Sequence, residues 1–245
     1  MADSTGGNDV IGCKFSPGSD AHSMIARNEP PGTHRALVAW VALVVIHGLV
    51  NLGSVLFVDV PEDRVYRYSS AALTLLQFGV LLALVLIIAR PLGVRATLAS
   101  RRPASWKRAA AIGTLLTVGM LVLVVSLGPV LNPGDAQKLA PNWEPERLVP
   151  FMVNAVLIAF VGPIVEELTF RGLGFTLLRR HGLGLAIVTT GVLFALSHGL
   201  IALVPTAAAF GFGLAYLRSR TDSVYPGMFV HVFFNAAGVL AIVGS

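Results

Sequence analysis

Long apolar runs separated by short polar segments dominate the pattern along the 245-residue chain. A helix that crosses a bilayer needs about 20 predominantly apolar residues. The runs predict seven spans, at residues 36–58, 69–89, 109–131, 148 to beyond 170, 184–204, 205–216 and 224–243. The sixth is short enough to be partly re-entrant. The predicted fold class is therefore all-α, a polytopic transmembrane helical bundle of about seven spans.

Composition and charge agree with a membrane location. Hydrophobic residues make up 55% of the chain and charged residues 13%, whereas soluble domains carry roughly a quarter charged residues. The net charge of +5 comes from basic clusters between the apolar runs, without interleaved aromatic residues. That distribution indicates lipid as the partner and excludes nucleic acid. The excess of Arg over Lys indicates a GC-rich bacterial genome, so we expect the bacterial plasma membrane.

The polar segments divide the chain into three parts. Residues 1–33 are rich in Gly, Ser, Asp and Pro and predict a flexible tail, without the pattern of a cleaved signal peptide. Residues 34–147 hold three predicted spans with their loops, and residues 148–245 hold four. The single cysteine, Cys13, lies in the tail and excludes an intrachain disulfide or a cysteine metal site.

Charged residues in the loops predict the orientation. The loop after the second span carries six basic residues and no acid: Arg90, Arg95, Arg101, Arg102, Lys107 and Arg108. Further arginines follow the fourth and sixth spans, on the same side. Acids are concentrated in the other loops, as at Asp63, Asp135 and Glu144. Because cytoplasmic loops are enriched in Lys and Arg, the N-terminus is predicted to be cytoplasmic and the C-terminus outside.

Two glutamates are the only carboxylates between residues 147 and 221. A charge at the bilayer centre costs about 2.5–3.5 kcal/mol on insertion scales, which makes such residues candidates for function. Glu167 and Arg171, four residues apart, share one helix face, whereas Glu166 points about 100° away and is free for another task. The alternative is that the ion pair only holds the bundle together.

Two histidines and an asparagine complete the set of candidates. His198 lies within the fifth apolar run, and His231 and Asn235 share a face of the seventh. Helical rise places Glu166, His198 and His231 roughly 21, 25 and 17 Å from the basic ends of their spans. At such comparable depths they are predicted to share one buried cavity, where they could activate water or hold a metal ion.

Each of these residues also has a simpler interpretation. Alone, His198 would be a packed histidine bonded to a neighbouring carbonyl, and His231 with Asn235 an interhelical hydrogen-bonding pair. The same interpretation applies to His47 and Asn51 in the first span and to Gln77 in the second. We predict only packing roles for these last three.

The residues together resemble a known family. Residues 166–171 fit E-E-x-x-x-R, residues 194–198 fit F-x-x-x-H, and residues 231–235 fit H-x-x-x-N, in this order and each within a predicted span. This pattern resembles the CPBP family of type II CAAX prenyl endopeptidases and Abi-like bacteriocin-processing or self-immunity proteins. The resemblance covers residues 148–243, so residues 148–245 are predicted to form the catalytic core.

The resemblance implies an intramembrane endopeptidase whose site lies in a cavity open toward the cytoplasm. It implies that Glu166 is the general base and that His198 positions the attacking water. His231 and Asn235 would donate to the oxyanion, while Arg171 orients the glutamates, chiefly Glu167. Zinc bound by Glu166, His198 and His231 is the alternative to the metal-free mechanism that we expect, since H-E-x-x-H is absent from the sequence.

Other functions remain open on the sequence alone. A non-catalytic relative that acts as an immunity or accessory protein could bind a membrane partner in the same groove. A small transporter could use Glu166 as a proton carrier, although the sequence lacks a convincing internal repeat. The expected substrate is a membrane-associated, possibly lipidated, protein or peptide.

Overall fold

The computed structural model describes residues 32–59, 61–131 and 143–243. The side chains of residues 128–131 and 242 are outside that description. Most of the predicted tail, with Cys13, and the loop acid Asp135 also lie outside the described residues.

Seven apolar helices account for most of the described chain. They are α1 (Thr33–Phe57), α2 (Tyr68–Ala89), α3 (Trp106–Leu131), α4 (Pro145–Arg179), α5 (Leu183–Leu196), α6 (Val204–Thr221) and α7 (Tyr225–Val243). Helices α1–α4 and α6 are long and apolar enough to cross a membrane, whereas α5 and α7 are shorter apolar helices. No strand occurs within the described ranges. The protein is therefore an integral membrane helical bundle, as predicted.

Two predicted boundaries were wrong. The fifth span was predicted to reach residue 204, but α5 stops at Leu196 and is followed by a turn and a 3-10 segment, Ile201–Leu203. The apolar run continues through this break, so hydrophobicity alone could not locate it. Gly199 has a φ of +70°, a left-handed conformation that ends helices. The sixth helix runs on to Thr221 instead of ending at residue 216.

Helix α4 is irregular where it carries the two glutamates. Its α-helical segment Gly162–Glu167 lies between two π-helical segments, Leu157–Val161 and Leu168–Gly174. Pro163 follows the first of these and has no amide hydrogen to donate to the helix. Segments of π-helix are rare and frequently occur at functional sites. The glutamates therefore lie on a short regular stretch between two π-helical segments.

Helix α1 is anchored to this irregular part of α4. The indole Nε1–H of Trp40 donates to the carbonyl oxygen of Thr169 at 2.9 Å, and Trp40 is fully buried. In a π segment the backbone hydrogen bonds are displaced from the α pattern, so a side-chain donor can take a carbonyl left unpaired. The contact fixes the first span against the π segment that follows the glutamates.

The connections at the acidic-loop end form a polar cluster. Arg147, at the start of α4, donates to Asp63 Oδ2 at 2.9 Å, to Glu144 Oε2 at 2.9 Å and to the carbonyl of Tyr66 at 3.1 Å. Hydrogen bonds from Arg67 and Arg147 hold the pKa of Asp63 below its ordinary value. The α1–α2 connection is thereby tied to the start of α4.

A glycine allows the close approach of α1 and α4. A Cβ built on Gly174 would overlap the indole ring of Trp40, which has no room to move. We expect Gly174→Ala to lower the free energy of unfolding by about 1–3 kcal/mol, the usual cost of overpacking a core. Thermal unfolding in detergent measures this effect.

Gly184→Ala is the matched control, because a Cβ there meets nothing within 4 Å. It should leave the unfolding temperature unchanged or raise it slightly, since alanine favours helix. Equal unfolding temperatures for the two variants would contradict the packing of Trp40 against α4.

Candidate active site

A fully buried ion pair forms the base of the site. Arg171 Nη1 lies 3.1 Å from Glu167 Oε1, and both side chains are inaccessible to solvent. Arg171 Nη2 also donates to the carbonyl oxygen of Gly211 on α6 at 2.9 Å. Its guanidinium lies over the ring of Phe194 on α5, 4.4 Å from the centroid. Arg171 thus connects three helices through charge, a hydrogen bond and a cation–π contact.

His231 of α7 lies between the two glutamates. Its Nδ1 is 3.2 Å from Glu167 Oε1, and its Nε2 is 3.6 Å from Glu166 Oε2. The imidazole is 3% exposed and the Glu166 side chain 13% exposed. One ring therefore bridges two carboxylates that diverge around the axis of α4. Glu166 keeps limited access to solvent, whereas Glu167 has none.

The formal charges of this cluster balance with one additional proton. Two carboxylates and one guanidinium leave a single negative charge when the imidazole is neutral. A proton on His231 or on Glu166 neutralises the cluster, and neutral groups are favoured where water is scarce. At 3.6 Å, the approach of His231 Nε2 to Glu166 Oε2 is an electrostatic contact and not a hydrogen bond.

His198 follows the end of α5 and has one ring nitrogen that can accept a hydrogen bond. Its Nδ1 lies 2.7 Å from the carbonyl oxygen of Phe194. Because a carbonyl can only accept, Nδ1 must carry the hydrogen, which leaves Nε2 of the neutral ring as an acceptor. The ring of Phe194 lies 4.8 Å from the His198 ring and 5.5 Å from that of His231, measured between centroids. Phe194 thus packs against both imidazoles.

Asn235 lies one turn beyond His231 on α7. Its Nδ2 donates to the carbonyl oxygen of Ile158 at 3.1 Å, within the first π segment of α4. An amide nitrogen carries two hydrogens, so the second remains for another acceptor. The contact fixes α7 against α4 next to the glutamates.

A cavity of about 750 Å³ brings these elements together. His198, His231 and Asn235 line it with Phe194 and Phe210, and apolar side chains supply most of its remaining wall. Such a cavity suits a largely apolar segment of substrate beside a few polar groups.

The cavity extends toward the acidic-loop end of the bundle. Its lining includes Arg64 in the α1–α2 connection, Ser70 at the start of α2, Leu203 before α6 and Ala241 near the end of α7. The basic clusters predicted to be cytoplasmic lie at the opposite ends of these helices. The cavity therefore extends toward the end that is predicted to face outside. The predicted cytoplasmic opening conflicts with the predicted orientation.

The arrangement does not match a zinc site. Among the residues that the structure describes, no group of three or more His, Cys, Asp or Glu side chains is placed to hold a metal ion. Of the predicted ligands, His231 directs one nitrogen to each glutamate, and Nδ1 of His198 is occupied by a backbone carbonyl. Most of the predicted ligand atoms are therefore engaged with the protein itself.

Polar residues predicted to serve packing lie next to the site. Asn51 of α1 donates to the carbonyl oxygen of Ser197, the residue before His198, at 2.7 Å. His47 interacts electrostatically with Glu166 and with His198. Their i, i+4 spacing on one helix face was visible in the sequence. Nothing in the sequence indicated that this face meets the turn that carries His198.

The comparisons with known proteins concern the C-terminal region. Residues 148–237 match the family model of the type II CAAX prenyl endopeptidase Rce1-like proteins. The resemblance inferred from the three motifs is confirmed. Residues 148–237, the CPBP region, are thus similar to this family.

One curated relative supports this conclusion. The Bacillus subtilis (strain 168) protein named "Putative membrane peptidase YdiL" is 30% identical over 95 residues. The aligned part covers 38% of this chain and 38% of the relative. No solved structure gives a significant match. The CPBP region therefore contains every candidate residue predicted from the motifs, whereas α1–α3 lie outside it.

Gly227 of α7 makes room for the buried carboxylate. A Cβ built there would lie 2.5 Å from Glu167 Oε2, and Glu167 cannot move without losing Arg171 or His231. We expect Gly227→Ala to lower the free energy of unfolding by about 1–3 kcal/mol. Thermal unfolding in detergent measures the loss.

Gly238→Ala is the matched control on the same helix. A Cβ there meets nothing within 4 Å, so this variant should unfold at the wild-type temperature. If Gly227→Ala were equally harmless, Glu167 would not be held where the structure places it.

Proposed function

We propose that the protein is an intramembrane endopeptidase that cleaves a peptide bond of a membrane-associated protein or peptide. The observation that carries the proposal is the contact of Glu166 with His231, in a cluster whose two histidines line one largely apolar cavity. The similarity of the CPBP region to the type II CAAX prenyl endopeptidase family supports a protease. The proposal includes the class of substrate, the catalytic residues and the orientation of the protein in the membrane.

The attacking water lies between Glu166 and His198. Glu166 accepts one of its hydrogens and Nε2 of His198 accepts the other, which directs an oxygen lone pair at the scissile carbonyl. Glu166 takes the proton as the C–O bond forms, so it acts as the general base. The same proton passes to the departing amine nitrogen when the C–N bond breaks. Atoms and charge balance without a further reactant.

His231 and Asn235 stabilise the charge that develops on the carbonyl oxygen. A protonated His231 neutralises the cluster and places positive charge beside the reacting centre, and Asn235 has one amide hydrogen left to donate. Donors fixed before the reaction lower the barrier most in a site with little water. Glu167 and Arg171 are positioning residues, since both side chains are inaccessible to solvent and they hold His231 and α5 in place.

The substrate enters from the end of the bundle that carries the acidic loops. The cavity extends to that end, and the basic clusters at the other end are expected to face the cytoplasm. A largely apolar cavity favours a membrane-embedded or lipidated segment. The substrate class is therefore a membrane-anchored peptide or lipoprotein precursor that is cleaved at the outer side of the membrane.

A non-catalytic accessory protein is the second candidate. The apolar cavity lining also suits the binding of a partner helix without cleavage. The two functions differ in their dependence on Glu166, because a carboxylate at the edge of a binding groove can be replaced by its amide with little effect.

Glu166→Gln tests the catalytic function. The amide keeps the shape of the side chain but cannot accept a proton, so cleavage should fall about 10²–10⁴-fold. Glu146→Gln, at an exposed carboxylate at the start of α4, should cleave like the wild type. Membrane peptidomes of cells that produce each variant supply the substrate and the measurement.

Equal peptidomes for wild type and Glu166→Gln would favour the accessory protein. Elemental analysis of the same purified proteins tests the metal-free mechanism. One zinc ion per wild-type chain that is lost in Glu166→Gln would overturn it.

Cysteine labelling tests the orientation. In a Cys13→Ser background, Glu62→Cys reports on the acidic loop and Ala104→Cys on the basic loop, and both positions are exposed. A membrane-impermeant thiol reagent should label Glu62→Cys in intact cells and Ala104→Cys only after permeabilisation. The reverse pattern would place the cavity mouth on the cytoplasmic side.

A further inference from the structure

Helix α1 reaches the turn that carries His198. The turn begins where α5 ends, so the carbonyl group of Ser197 has no partner within that helix. Asn51 Nδ2 donates to this carbonyl oxygen at 2.7 Å, and Ser197 is 3% exposed. An unpaired carbonyl within a membrane protein costs several kcal/mol. Asn51 thus supplies the partner that the end of α5 lacks, one residue before His198.

A second helix fixes the orientation of the Asn51 amide. Gln77 of α2 donates from Nε2 to Asn51 Oδ1 at 2.7 Å. The Ser197 carbonyl can only accept, so it assigns the nitrogen of the Asn51 amide, and Asn51 Oδ1 then requires Gln77 to donate. Asn51 Nδ2 also lies 3.3 Å from His47 Nε2. An amide nitrogen only donates, so this nitrogen of His47 accepts and the hydrogen of its neutral ring is on Nδ1.

Backbone contact keeps α1 and the turn in a single register. Gly199 has a φ of +70°, and a Cβ there would lie 2.6 Å from the Leu52 nitrogen and 2.7 Å from the Asn51 carbonyl carbon. On the α1 side, a Cβ on Gly48 would come within 3.4 Å of the Ser197 Cα. The two backbones thus meet without side chains between them. A shift of α1 would move the turn and the His198 ring with it.

His47 extends this contact to the charged cluster. It lies close enough to Glu166 and His198 to interact electrostatically with both. The hydrogen-bonded chain therefore runs from Gln77 through Asn51 to the turn on one side and to His47 on the other. It connects two helices outside the CPBP region with the turn that carries His198, and His47 adds an electrostatic interaction with Glu166.

We propose that His47 and Asn51 are positioning residues, which hold the His198 turn of α5 at the distance from Glu166 that one water molecule requires. The inference rests on the proposed function and deepens it. The CPBP region supplies the reacting groups, and the N-terminal helices fix one of them in place. Gln77 supports Asn51 from α2.

Two variants test the pair against a matched control. Asn51→Asp keeps the shape of the side chain but removes the donor to Ser197, and His47→Gln removes the imidazole. His34→Gln is the control, because His34 is exposed at the other end of α1. The unfolding temperature of each variant is measured first, and activity is compared well below it.

The first readout is the imidazole NMR spectrum, which does not require a substrate. The nitrogen signals of His198 are assigned by their absence in His198→Gln. We expect Asn51→Asp and His47→Gln to change these signals, since the turn and the Nδ1–H tautomer are no longer held. His34→Gln should leave them unchanged. Unchanged His198 signals in both test variants would overturn the proposal.

The second readout is kinetic and uses a substrate from the peptidome comparison. We expect kcat to fall roughly ten- to hundredfold in both test variants, as for a misplaced reacting group, with KM little changed. A lower unfolding temperature with unaltered kcat would show that the pair serves packing only. If Asn51→Asp does not fold, His47→Gln decides the question.

These outcomes are separate from those of the proposed function. Should the wild type cleave nothing, the endopeptidase fails, while the NMR comparison still decides whether α1 positions His198. Should Glu166→Gln abolish cleavage while His47→Gln and Asn51→Asp cleave like the wild type, the endopeptidase stands and the positioning pair is refuted.

Discussion

The ion pair between Glu167 and Arg171 is the constraint on which the site depends. Both side chains are fully buried, so neither charge can be left without the other. Removal of one partner of a buried pair typically costs about 3–5 kcal/mol. Phe194 of α5 and Gly211 of α6 supply further contacts of Arg171. His231 of α7 supplies the second contact of Glu167. His231, in contact with Glu167 Oε1, also lies 3.6 Å from Glu166 Oε2.

The arrangement of the bundle follows from where such charges are tolerated. Helices α1–α3 expose large apolar side chains such as Leu49, Leu73 and Leu115, as expected for helices that face lipid. Helix α4 carries the charges and is more buried than α1–α3. In a membrane, burial inside protein protects a charge from hydrocarbon. Helix α4 is thus buried enough to hold both glutamates, and its neighbours supply the compensating groups.

The fold was largely predictable because hydrophobicity determines which segments enter a membrane. The apolar runs identified the seven helices, and the Glu167–Arg171 contact followed from their spacing on one helix face. The break after Leu196 was not predicted, because apolar residues resume at Leu200 and the three-residue turn between them does not interrupt the run in a hydropathy window. The π segments of α4 were also invisible, since they depend on which backbone groups find partners in neighbouring helices and not on local composition.

The candidate site was also predictable only in part. Motif order and depth predicted one cavity for Glu166, His198 and His231. The two histidines line one, whereas Glu166 is outside its lining and contacts His231. The bridging of both glutamates by one imidazole depends on how α7 packs against α4. Asn51 is the clearest example, since its spacing from His47 indicates only a polar helix face. The role of Asn51 depends on the end of α5 at Leu196, which leaves the Ser197 carbonyl without a partner in that helix. The carbonyl groups at a helix end inside a membrane require donors from other helices. Because His198 follows directly after such an end, the donor to Ser197, Asn51, also fixes the position of His198.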